Sequence, residues 1–130
     1  MSSAMADRLR DRLAADPGDV IAAYLFGSEA RGTAGPGSDV DVAILLGRKP
    51  APTLAAQPYA LAAELQGLLG RRVDLVVLDT APPDLIHRVL RDGVLVLDRD
   101  RSMRIRFEVA ARNAYFDLKP FLDRYRRRAA

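Results

Sequence analysis

Apolar residues recur every four positions at Met5, Leu9 and Leu13, which predicts a helix over 4–15 with one apolar stripe. Asp16-Pro17-Gly18 is turn chemistry, and the apolar run VIAAYLF (20–26) predicts a short strand. Gly27 turns the chain, and Ser28 suits the N-cap of a short helix around SEAR. GTAGPGS (32–38) reads as a loop, DVDVAILL (39–46) as a second strand and GRKPAPT (47–53) as a Pro-rich link. Leu54, Leu61, Leu65, Leu68 and Leu69 mark the apolar face of a helix over 54–69. Pro58 is expected in its first turn and Gly70 at its stop. VDLVVL (73–78) is a third strand, Ala81-Pro82-Pro83 opens a helix over 83–92 that Gly93 caps, and VLVL (94–97) is a fourth strand. The remainder predicts a helix over 102–118, broken near Pro120, then a shorter one to 128. Tyr115, Phe116, Leu118, Phe121, Leu122 and Tyr125 are spaced as a stripe, with core as the default place for it and a partner-facing groove as the alternative. Helices alternating with short strands place the chain in the α/β or α+β class, with a small sheet of about four strands. Helices are expected on one face of that sheet and a cleft on the other.

Length and composition narrow this further. The 130 residues suit one domain, 1–130, with 101–130 as a basic C-terminal helical segment. The chain has no cysteine, which excludes disulfides and thiolate metal sites. No run approaches the ~18 apolar residues of a membrane span, and the charged start lacks a signal peptide's apolar region. A cytoplasmic protein is expected. The formal charge of +3 is uneven. Residues 101–130 carry nine Lys/Arg against three acids, whereas 1–100 carry eleven against fourteen. The basic end suits the helix dipole, and direct nucleic-acid binding is not expected.

The second strand poses the chemical question. Asp39 and Asp41 interrupt it, although aspartate is depleted in strands and costly to bury unpaired. Two residues apart on a strand, both carboxylates face the same side. Side by side they repel, unless a divalent cation neutralises them. Mg²⁺ prefers a few carboxylate oxygens plus substrate phosphates. Asp74 interrupts the third strand in the same way. If that strand pairs beside the second, three carboxylates can hold two metals for an in-line phosphoryl displacement. Asp74 has a plainer alternative, an ion pair with Arg71 or Arg72. Gly27 lets a ligand approach the backbone, and Ser28 opens a helix whose free N–H groups favour phosphate. Arg31 suits a phosphate contact, a partner contact or a structural ion pair. His87, the only histidine, falls on a helix away from these residues, where a surface or capping role outweighs catalysis.

Gly27-Ser28 followed after ten residues by Asp39-x-Asp41 resembles the signature of the polymerase-beta-like nucleotidyltransferase superfamily. The longer string GSEARGTAGPGSDVDVAIL resembles the minimal nucleotidyltransferases, and within them the MntA-type antitoxins encoded beside HEPN-domain toxins. The resemblance covers nearly the whole chain, from the carboxylate-bearing strands through DGVLVLD to AYFDLKP. It implies a mixed rather than all-parallel sheet. It also implies Asp39, Asp41 and Asp74 as metal-holding catalytic residues, two Mg²⁺ ions and ATP as substrate. Gly27, Ser28, Arg31 and Ser38 would serve the nucleotide. The implied reaction moves AMP to a tyrosine hydroxyl of the cognate toxin and releases pyrophosphate. A chain of this length leaves no obvious room for an acceptor-holding domain, which favours a macromolecular acceptor. Two alternatives remain open: neutralisation by binding alone, and transfer to a small molecule or RNA end.

Overall fold

The four-residue stripe folds as α1 (Ser3–Ala14), which buries Met5, Leu9 and Leu13. A computed structural model describes residues 3–15, 20–33, 35, 37–48 and 58–129. After α1 come β1 (Ala22–Phe26), α2 (Gly27–Arg31) and β2 (Val40–Leu45). They are followed by α3 (Tyr59–Leu69), β3 (Val73–Val77), a 3-10 turn (Leu78–Thr80), α4 (Pro83–Asp92), β4 (Val94–Asp98) and α5 (Arg101–Ala129). The strands form one mixed sheet in the order β3-β2-β1-β4. β1 pairs antiparallel with β2 and β4, and β2 pairs parallel with β3. Among the described residues no helix is long and apolar enough to cross a membrane.

Two elements differ from the pattern-based expectation. Of the helix expected over 54–69, residues 54–57 lie outside the described residues. Pro58 is the residue just before α3, with non-helical ψ of 48°, and its carbonyl accepts the Ala62 N–H at 3.1 Å. Gly70 ends α3 in the left-handed conformation, as expected. The break expected near Pro120 does not occur: α5 is one helix of 29 residues that contains it. Pro120 removes one ladder donor, but Phe116, Lys119 and Phe121 around it are exposed. Water can satisfy the freed carbonyl there, and no packing forces the chain to turn.

Helices cover both faces of the sheet, not one. Val40, Val42 and Ile44 of β2 point into a core shared with α1 and α3. Ala43 and Leu45 point the other way, into a core shared with α4 and α5. With apolar residues on both faces, the strand needs two covers. The cleft opens instead at one end of the second face, where the row Leu45, Ala43 reaches Asp41.

Polar anchors hold α5 to the sheet. Arg104 donates to Oδ2 of Asp98 at 2.9 Å and to Oε1 of Glu108 at 3.0 Å. The Tyr24 hydroxyl donates to the same Glu108 oxygen at 2.7 Å. His87 stacks on Tyr115 with ring centroids 3.7 Å apart and planes 4° apart, which joins α4 to α5. The lone histidine therefore serves packing between these two helices.

Candidate active site

The site forms where β1 ends and β2 and β3 begin. Asp41 is the register partner of Phe26 on β1 and of Asp74 on β3. In-register residues of paired strands share a face, so Asp41 and Asp74 stand side by side. The pairing that the sequence left conditional is present. Asp39 lies just ahead of β2 and is exposed.

Gly27 follows Phe26 with φ +68°, a conformation that favours glycine. A Cβ there would stand 3.0 Å from Cγ of Asp41 and collide with its Oδ2. The bare backbone thus forms a cradle for the Asp41 carboxylate. Burial, then Asp74, then Asp39 push the Asp41 carboxyl above its ordinary range, while Arg31 pulls it back. Asp74 and Asp39 thus both act on Asp41, and Arg31 offsets part of their charge. Among the described residues no cation pairs with Asp74, and Arg71 donates to the Ser38 carbonyl at 2.6 Å.

Among the described residues no group of three His, Asp or Glu side chains is gathered tightly enough to hold a metal as it stands. The donor chemistry still fits a hard cation. Asp41 is held in a cradle beside a second carboxylate; burial first, and the neighbouring carboxylates after it, raise its pKa, and a bound cation would offset both.

A cavity of about 440 Å³ opens over this pair. Gly27, Asp41 and Asp74 line it together with Arg31, Arg88 and Asp92. Arg88 and Asp92 were missed by sequence reasoning. Their i,i+4 spacing on α4 puts them on one helical face, but nothing local says that this face meets the cleft. Asp92 bonds Arg91 at 2.8 Å, which lowers its carboxyl pKa; Arg31 and His87 add to the effect.

Ser28 and Ser38 lie outside the cavity lining. The Ser28 carbonyl accepts the Thr33 N–H at 3.0 Å and closes the α2 turn. The Ser38 hydroxyl accepts the Gly35 N–H at 2.9 Å, which holds the glycine-rich loop.

Comparison with known proteins gives two kinds of match, to a family model and to solved structures. The family model described as polymerase beta, nucleotidyltransferase, matches residues 9–102. A solved structure of a candidate minimal nucleotidyltransferase is 36% identical, covers 68% of this chain and 93% of its own, and has a TM-score of 0.51. A toxin–antitoxin structure with AMP-PNP contains a chain 24% identical to this one, covering 92% of this chain and 97% of its own, TM-score 0.73. The structure of tri-AMPylated Shewanella oneidensis HEPN toxin in complex with MNT antitoxin contains a chain 22% identical, covering 96% and 98%, TM-score 0.70. The last two likenesses establish the shared fold. Among curated proteins, none matches the chain.

Proposed function

The chain belongs to the polymerase-beta nucleotidyltransferase family, and from that premise we propose that it transfers AMP from ATP to a tyrosine of a HEPN-domain toxin, which neutralises the toxin. The observation that carries this reading is the in-register pair Asp41–Asp74 against the bare backbone of Gly27. Paired carboxylates with Arg31 and Arg88 in the same cavity suit a metal-bound triphosphate. Support also comes from the fold shared with a toxin–antitoxin protein solved with AMP-PNP and with the complex of an AMPylated HEPN toxin.

In the proposed reaction, the acceptor hydroxyl oxygen bonds to the α-phosphorus of ATP. The bond from that phosphorus to the bridging oxygen breaks, and pyrophosphate leaves. The hydroxyl proton passes to Asp74, the general base. Asp39, Asp41 and Asp74 would hold Mg²⁺, which when bound supplies positive charge against the triphosphate. Gly27 and Ser28 would seat the β- and γ-phosphates through their backbone, and Arg31 and Arg88, which line the cavity, would face phosphate. Ser38 acts through its loop, which it holds beside Asp39.

Labelled ATP, Mg²⁺ and the toxin encoded beside this chain provide the test. The wild type is expected to label the toxin, and Asp39→Ala with Asp41→Ala to abolish the label. No transfer by wild type, or full transfer by the double variant, overturns the proposal. Neutralisation by binding alone is the second reading, favoured by the exposed aromatic end of α5. It would win if the double variant still protected cells from the toxin.

A further inference from the structure

β3 is the outer strand of the sheet, and among the described residues no strand pairs with its far edge. In a parallel pair, alternate residues turn both backbone polar groups to the same neighbour. The Arg72 carbonyl accepts the Val40 N–H at 2.8 Å, so Arg72, Asp74 and Val76 bond inward to β2. Val73, Leu75 and Val77 then turn outward. The Val73 N–H agrees with this phase, since it donates to Oε1 of Gln66 at 3.1 Å. Leu75 is left at the centre of the edge with its N–H and C=O directed away from the sheet.

A groove of about 450 Å³ runs along this edge and is lined by every residue of β3. Pro58, Tyr59 and Ala62 form one wall, and the turn ahead of α4 forms the other. Its walls are mostly apolar, and Tyr59 on the rim is 61% exposed. Asp74, Val76 and Leu85 line both this groove and the catalytic cavity, so the two spaces meet at the general base. Arg31 and Arg88 line only the cavity. The cationic side thus suits the phosphate donor, and the apolar side suits an uncharged acceptor.

We propose that the groove is the acceptor channel: an extended peptide segment of the acceptor protein adds to β3 as a further strand. This rests on the AMP-transfer reading and names how its substrate is held. Backbone bonds to Leu75 supply affinity, as in other strand-addition complexes. Register then decides chemistry. The peptide residue opposite Asp74 shares the face of Asp74 and Asp41, which delivers its tyrosine hydroxyl to the carboxylate. Its two neighbours face the α3 wall, where apolar side chains fit. The substrate class is therefore an extended tyrosine segment flanked by apolar residues.

The test begins with the labelled residue, located by mass spectrometry on the acceptor, and a short synthetic peptide centred on it. N-methylation of the peptide backbone at alternate positions removes donors to β3 in one phase only. One phase is expected to lower transfer roughly tenfold and the other to leave it unchanged. Leu75→Pro removes an outward N–H, a change edge strands tolerate. It is expected to keep AMP-PNP affinity and lower transfer roughly tenfold through KM. Equal effects of the two methylation phases overturn the proposal, even if Leu75→Pro fails to fold. Full transfer by a folded Leu75→Pro also overturns it. So does a wild type that pairs with a second copy of itself through β3, seen as a dimer that Leu75→Pro dissolves. A wild type that labels the acceptor leaves the AMP-transfer reading standing in each of these cases. A wild type that labels nothing overturns that reading and the channel together.

Discussion

Gly27 and Asp41 occupy one another's space, and substitutions at the two should move stability in opposite directions. Gly27→Ala puts a Cβ onto the Asp41 carboxylate at a left-handed φ. A loss of about 1–3 kcal/mol is expected, with reduced transfer, read from thermal melting and labelled ATP. Asp41→Asn should instead raise the melting temperature of the metal-free protein while abolishing transfer. The folded-state carboxyl is raised above its unfolded value. Its ionisation therefore costs stability as pH climbs from the ordinary carboxylate range through the raised pKa, and the cost persists at neutral pH. The Asn variant lacks that cost. Its advantage should vanish below the ordinary carboxylate range and reverse when Mg²⁺ stabilises only the wild type, as a pH series of melts with and without Mg²⁺ would record. The closeness of Gly27 and Asp41 was legible in the sequence because it is a short spacing across one turn and one strand, whereas Asp39 lies ahead of β2, exposed and outside the cavity lining. Ser38 was legible only as part of the motif, and its hydroxyl closes its own loop.

At the scale of elements, α5 depends on a few partly buried polar contacts. Glu108 accepts from both Tyr24 and Arg104, whose side chain is 14% exposed. Burial first, then Glu108, pushes the Tyr24 phenol up, so it remains a donor. Glu108→Ala strands both donors and should cost about 2–3 kcal/mol by chemical denaturation, whereas Tyr24→Phe should cost about 1 kcal/mol. Element boundaries followed local rules closely where a left-handed glycine ends a helix, as at Gly70. They failed at Pro120, where the local rule for a helix break met an exposed segment that could absorb the lost bond.

At the scale of the molecule, α5 runs beyond its packing surface. Tyr115 is its last buried residue, and Phe116, Phe121 and Tyr125 are 62%, 60% and 72% exposed. The stripe that defaulted to core is mostly surface. On the proposed function this arm meets the toxin. Phe121→Ser with Tyr125→Ser should weaken the complex at least ~30-fold by titration calorimetry and leave AMP-PNP affinity unchanged. Equal affinity for the toxin would assign the arm no part in docking. The sequence by itself determined the alternation of helices and strands, the carboxylate of Asp41 near the start of β2, and the need for glycine where β1 turns. Each depends on residues close in the chain, through strand period, turn chemistry and capping. Only the tertiary structure decided that β3 lies parallel beside β2 with Asp74 level with Asp41. It also decided that helices cover both faces, that Arg88 and Asp92 line the cleft, and that among the described residues no strand pairs with the outer edge of β3, the strand that carries Asp74. Those depend on pairings across tens of residues, where many registers satisfy the same apolar pattern and packing selects one.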